Sequence, residues 1–157
     1  MKKLLIPLIA AFAANTVSAA APQQVIDIST DKVSMVLTAA PGGEVYFRHF
    51  GGRIDDPAPL ADYKSNRRSD HGTDNLAYST MGGRNFREPA LRVTHADGDM
   101  NTELRYVSHA SKQLSDKNVT ETVVKMTDCC QALDVELVFT AYARENVITT
   151  HTVIRNR

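Results

Sequence analysis

From Val25 onward, apolar and polar residues alternate in short runs separated by turn chemistry. A period of two is what a strand with one buried face requires. Val25-Ile26-Asp27-Ile28 and Val33-Ser34-Met35-Val36-Leu37 are β-branched runs divided by Ser29-Thr30-Asp31-Lys32. Pro41-Gly42-Gly43 makes the next turn and leads into Glu44 to Phe50. Ala90 to His95 and Glu103 to His109 flank Ala96-Asp97-Gly98-Asp99, and Asp-Gly between alternating segments predicts a hairpin. Val119 to Thr127 and Leu133 to Ala143 predict a second pair. In the latter, Val135, Leu137, Phe139 and Ala141 share one face, while Glu136, Val138, Thr140 and Tyr142 share the other. That pattern predicts a strand covered on both sides. Arg144-Glu145-Asn146 then turns the chain into Val147 to Ile154. Several strands with turns between them, and no sustained 3.6-residue period, predict an all-β antiparallel sandwich.

The N-terminal stretch follows another rule. Met1-Lys2-Lys3 is positive, Leu4 to Ala14 is almost wholly apolar, and Val17-Ser18-Ala19 offers small residues for cleavage. This order predicts a secretory signal over residues 1–19 and a mature domain over 20–157. Asn15, Thr16 and Ser18 interrupt the run well short of the roughly 20 apolar residues a membrane span needs. The expected destination is the periplasm or the exterior, with no membrane anchor.

A chain of 157 residues, 43% hydrophobic, suits one domain. Eighteen basic residues balance eighteen acidic ones, so no basic field exists to attract nucleic acid. Two cysteines and no tryptophan exclude a disulfide-rich miniprotein.

Gly51 to Glu88 breaks the strand rhythm with glycines, prolines and arginines, as binding loops and sheet crossings both do. Asp55-Asp56 is the only adjacent carboxylate pair, and its place before Pro57 predicts turn chemistry rather than an acid/base pair. His49, His71, His95, His109 and His151 show no zinc spacing, although His95 and His109 could meet across the Asp97-Gly98 hairpin. Gly82-Gly83-Arg84-Asn85-Phe86-Arg87 lacks the Gly-Lys-Ser/Thr of a phosphate loop. Cys129-Cys130 falls in a predicted hairpin turn, and either a strained vicinal bond or two free thiols fits it. Residue types and spacings alone thus supply no catalytic constellation, cofactor motif or metal site.

An ordered set of landmarks does point somewhere. Phe50-Gly51-Gly52-Arg53-Ile54, Phe86-Arg87-Glu88-Pro89-Ala90-Leu91, Thr94-His95-Ala96-Asp97-Gly98 and Leu104-Arg105-Tyr106-Val107-Ser108-His109 follow one another. Thr122 to Asp128, Leu133 to Tyr142, Asn146-Val147-Ile148 and Ile154-Arg155-Asn156 continue the order. Together they resemble the N-terminal β-domain of the bacterial α-galactosidases of glycoside hydrolase family 36. The resemblance implies a large supersandwich-like β-sandwich that continues past Asn156 into further strands and a catalytic (β/α)8 barrel, so this chain is expected to be incomplete at its C-terminus. It implies a retaining hydrolysis of terminal α-galactosides with two carboxylates in the barrel. The family's nucleophilic aspartate follows Lys-Trp, and this chain has no tryptophan. No catalytic residue and no cofactor is therefore assigned here. The carbohydrate partner is expected to bind through the barrel, and the parent enzyme is a candidate homo-oligomer. The family also carries a loop aspartate that helps hold galactose, for which Asp62 and Asp70 are the nearest candidates. Tyr78-Ser79 stands where members often show Tyr-Pro. The rival expectation is a free-standing carbohydrate-binding sandwich, weakened by an aromatic content of 6%.

Overall fold

The computed structural model describes residues 23–62, 75–82 and 88–157. The predicted signal segment, Asp70, His71 and residues 83–87 lie outside the described residues.

Among the described residues, seven strands form two antiparallel sheets. The first sheet has β1 (Gln24–Ser29), β2 (Val33–Ala39) and β3 (Val45–Gly52) in that order. The second has β4 (Leu104–Gln113), β5 (Val119–Asp128), β6 (Leu133–Tyr142) and β7 (Val147–Asn156), also in chain order. Each neighbour is thus reached by a short turn, the least costly way to close an antiparallel ladder.

The core is the inner face of both sheets. Ile26, Ile28, Leu37, Ala39 and Val45 come from the first sheet, and Val124, Met126, Val135, Leu137, Phe139 and Ala141 from the second. These are positions two apart along their strands, so the alternation in the sequence becomes the core directly. The second face of β2 is buried as well, at Ser34, Val36 and Thr38. Ser34 Oγ accepts the backbone N–H of Ile54 at 3.0 Å, and a 3-10 helix, Ala58–Asp62, lies against β1. A strand covered on both sides reads as a nearly unbroken apolar run, as Val33 to Leu37 does. In β6 the odd-numbered face is core, whereas on the even face Val138 is buried and Glu136, Thr140 and Tyr142 are half-buried. Glu136 pairs there with Lys125 at 3.5 Å and Arg155 at 3.1 Å. Burial on both faces of β6 is therefore partial, because Glu136 keeps cationic partners on its neighbours instead of an apolar lid.

The two sheets are tied at both ends. At one end Lys32 N–H donates to Asn146 Oδ1 at 2.8 Å and Asp31 N–H to the Ala143 carbonyl at 3.2 Å. Asn146 holds φ at 56°, a left-handed conformation that asparagine tolerates. At the other end Tyr106 N–H donates to the Gly43 carbonyl at 2.7 Å, and Arg105 reaches the Gly42 carbonyl.

The predicted hairpin around Asp97-Gly98 forms its turn but not its ladder. His95 N–H donates to the Asp99 carbonyl at 2.8 Å and Gly98 N–H to the His95 carbonyl at 2.9 Å. Beyond the turn, Leu91 makes a single parallel bridge with Thr80, while β4 pairs with β5.

Candidate functional site

Between the edge of β3 and the start of β4 lies a cavity of about 220 Å³. Its floor is Val45, Leu104 and Met126, and its walls are Tyr46, Leu76, Tyr78, Thr80, Glu44, Glu103 and Arg105. The volume is below the roughly 300 Å³ where ordinary ligand pockets begin. Residues 75–77 form one wall by adding to the β3 edge: Phe47 N–H donates to the Asn75 carbonyl at 2.7 Å and Ala77 N–H to the Val45 carbonyl at 2.8 Å. Thr102, fully buried, holds the far side. Its N–H donates to the Met81 carbonyl at 2.8 Å, its carbonyl accepts the Thr80 hydroxyl at 2.5 Å, and its hydroxyl lies 3.0 Å from His95 Nε2.

Arg105 dominates the electrostatics. Its Nη1 donates to Glu44 Oε1 at 2.8 Å, and its Nη2 to Glu103. The guanidinium thus sits between the two carboxylates, where a glycosidic bond would have to lie if they were to attack it from opposite sides. Arg48 stacks on the face of Tyr46, 4.6 Å from its centroid, so that ring face is already covered. This arrangement suits structural locking of the β2–β3 turn onto β4.

The sequence-derived candidates lie elsewhere. Asp62 is the exposed last residue of the 3-10 helix, outside the cavity wall. Asp56 Oδ1 accepts the Ala58 N–H at 3.0 Å, the turn role expected of it, and Asp55 faces Arg53 at 3.9 Å in solvent. His95 and His109 do not face each other: His109 stands opposite Val124 with its Nδ1 2.7 Å from the Tyr106 hydroxyl. A bulge after Tyr106 turns Val107 outward.

The β5–β6 turn holds donors that histidine spacing did not anticipate. Cys129 and Cys130 are exposed free thiols with Sγ atoms 3.0 Å apart, and an Asp128 carboxylate oxygen lies within 4.8 Å of both. Hydrogen bonding with Cys130 comes first in pushing the Cys129 thiol up to about 11, followed by burial and by the charges of Cys130, Glu103 and Asp128. Such a thiol is a poor nucleophile near neutrality. The nearby loop is pinned by Gln131 Nε2 donating to Asp97 Oδ2 at 2.9 Å.

Known proteins give the fold a family. A family model described as the glycosyl hydrolase family 36 N-terminal domain matches residues 43–157. A family 36 α-galactosidase from Geobacillus stearothermophilus, solved with 1-deoxygalactonojirimycin, superposes with a TM-score of 0.74 at 22% identity. That match covers 85% of this chain and 22% of the other. The α-galactosidase from Lactobacillus brevis gives 0.70 at 22% identity, covering 88% of this chain and 22% of its own. The galactosidase domain of an α-galactosidase–sucrose kinase gives 0.71 at 16% identity, covering 84% and 22%. The chain therefore spans about a fifth of the length of these structures. No curated protein sequence matches it. On the family match across most of its length, the chain belongs to the glycosyl hydrolase family 36 N-terminal domain family.

Proposed function

We propose that this chain serves as the N-terminal β-domain of an exported α-galactosidase-like retaining glycosidase. The observation that carries this reading is the family match over residues 43–157. In this role the domain contributes scaffold, and a catalytic barrel supplies the nucleophile and the acid/base carboxylate. The Arg105 clamp on Glu44 and Glu103 supports the division of labour, because it commits the cavity's carboxylates to holding the turn. Related structures are described as complexes with raffinose and with stachyose, which makes terminal α-galactosides the substrate class proposed here. Export rests on the charged, apolar and small-residue order of residues 1–19. Asp62, exposed at the end of its 3-10 helix, is the described residue proposed to reach a galactose held by the barrel, with Asp70 as its rival.

The reading frame around codon 157 tests this assignment. A continuous frame running into a Lys-Trp-Asp motif is the expected result. A stop codon followed by an unrelated gene contradicts it and favours a free-standing sugar-binding sandwich.

A further inference from the structure

Cys129 and Cys130 sit on a turn that is built, not slack. Asp128 is 6% exposed, and its Oδ1 accepts the N–H groups of both Cys130 and Gln131 at 2.8 Å. Its Oδ2 accepts the Glu103 N–H at 2.8 Å, and Cys129 N–H donates to the Glu103 carbonyl at 3.0 Å. These bonds fix both cysteines and bring the Glu103 side chain alongside, with Oε2 3.7 Å from Cys129 Sγ. The sulfurs face outward into solvent, so an ion has an entry path and room for a water ligand.

We propose that this turn chelates a thiophilic divalent cation, Zn²⁺ or Cd²⁺, through Cys129 Sγ, Cys130 Sγ and Oε2 of Glu103, whose Oε1 stays on Arg105. Thiolates select soft cations over Mg²⁺ or Ca²⁺. With metal–sulfur bonds of about 2.3 Å, two sulfurs on one tetrahedral ion stand about 3.8 Å apart. The observed 3.0 Å separation reaches that value by small side-chain rotations, with no change in the turn. Asp128 acts as a positioning residue, since its oxygens are already committed to backbone N–H groups. On binding, the two thiols release two protons and form two metal–sulfur bonds; no electron is transferred. A disulfide is the poorer use of the same pair, because adjacent Cα atoms about 3.8 Å apart fall below the usual disulfide range. The site is independent of the glycosidase reading and holds whether or not that reading survives.

The test is titration of the full chain with Cd²⁺ after reduction with a thiol-free reductant, followed by the ultraviolet sulfur-to-cadmium charge-transfer band. The chain has two cysteines in all, so the band can come from nowhere else. We expect saturation at one ion per chain, insensitive to excess Mg²⁺. Cys129→Ser and Cys130→Ser should each halve the band and weaken binding at least about tenfold, and Glu103→Gln should weaken it by about tenfold. Circular dichroism of each variant checks that the sheets persist. Absence of a band in the unmodified chain, one ion per two chains, or unchanged affinity in any of the three variants overturns the proposal.

Discussion

The Pro41–Gly43 turn packs onto β4 of the other sheet, and a methyl group at Gly43 would collide with that strand. Its φ is 92°, in the left-handed region. A Cβ there would lie 2.9 Å from Arg105 Cδ, 3.1 Å from Arg105 Cβ and 3.4 Å from Arg105 Cα. The Cδ can swing aside, but the Cβ and Cα are fixed to β4. Gly43→Ala must therefore push the turn off the strand and stretch the 2.7 Å bond from Tyr106 N–H to the Gly43 carbonyl. Gly98 is the control, with φ 84° and nothing within 4 Å of an added Cβ. Left-handed strain alone costs about 1–2 kcal/mol, which is the expected loss for Gly98→Ala. Adding a compromised hydrogen bond of about 0.5–1.5 kcal/mol and local repacking brings Gly43→Ala to about 2–4 kcal/mol. At about 3 °C per kcal/mol for a domain of this size, Tm should fall by about 6–12 °C for Gly43→Ala and about 3–6 °C for Gly98→Ala. Thermal unfolding followed by circular dichroism at low protein concentration reads both. Equal losses at the two glycines would refute the account of the inter-sheet contact.

Two further outcomes follow from the edge and the turns. β7 ends its sheet, and Ile154, on the inner face opposite Val135, is 47% exposed, so the domain should self-associate with rising concentration and Ile154→Lys should suppress this; sedimentation that shows a monomer at all concentrations in both forms contradicts it. Asp97 and Asp116 have pKa values below the ordinary carboxylate value, the first chiefly through the Asp99 N–H and the second chiefly through the Asn118 N–H. Because folding lowers these values, their contribution to stability is present above the ordinary carboxylate pKa and lost as pH falls through the lowered one. Carboxyl resonances followed by NMR should show both residues titrating late on acidification, and midpoints at the ordinary value would count against the turn geometry.

Much of this fold is legible in the sequence, and the exceptions have physical causes. Seven of the eight expected strands form, because period-two alternation needs only a sheet face to become burial. Ala90 to His95 has the same alternation, yet among the described residues its one bridge is Leu91 with Thr80, since alternation marks a face and does not name a partner strand. Simple alternation through Glu103 to His109 also hides the bulge after Tyr106, which brings His109 onto the face that Tyr106 occupies. The cavity was not legible at all: Tyr46, Tyr78 and Arg105 are far apart in sequence and meet through the Gly43–Tyr106 contact and the pairing of residues 75–77 with the β3 edge. For the cysteine pair, the turn could be read from the neighbouring strands, but the approach of Glu103 comes from the β4–β5 register. The family landmarks lead further than any spacing, because their order along the chain is that of the family matched over residues 43–157.

The proposal that this chain is a non-catalytic domain of an α-galactosidase-like enzyme is tested most directly by hydrolysis with the chain itself. Purified protein incubated with a p-nitrophenyl α-galactoside should release no p-nitrophenol above the blank, because Glu44 and Glu103 are held by Arg105 and Asp55 and Asp56 serve the turn before Pro57. Turnover that survives repurification and disappears in Glu44→Gln, Glu103→Gln, Asp55→Asn or Asp56→Asn would contradict the account.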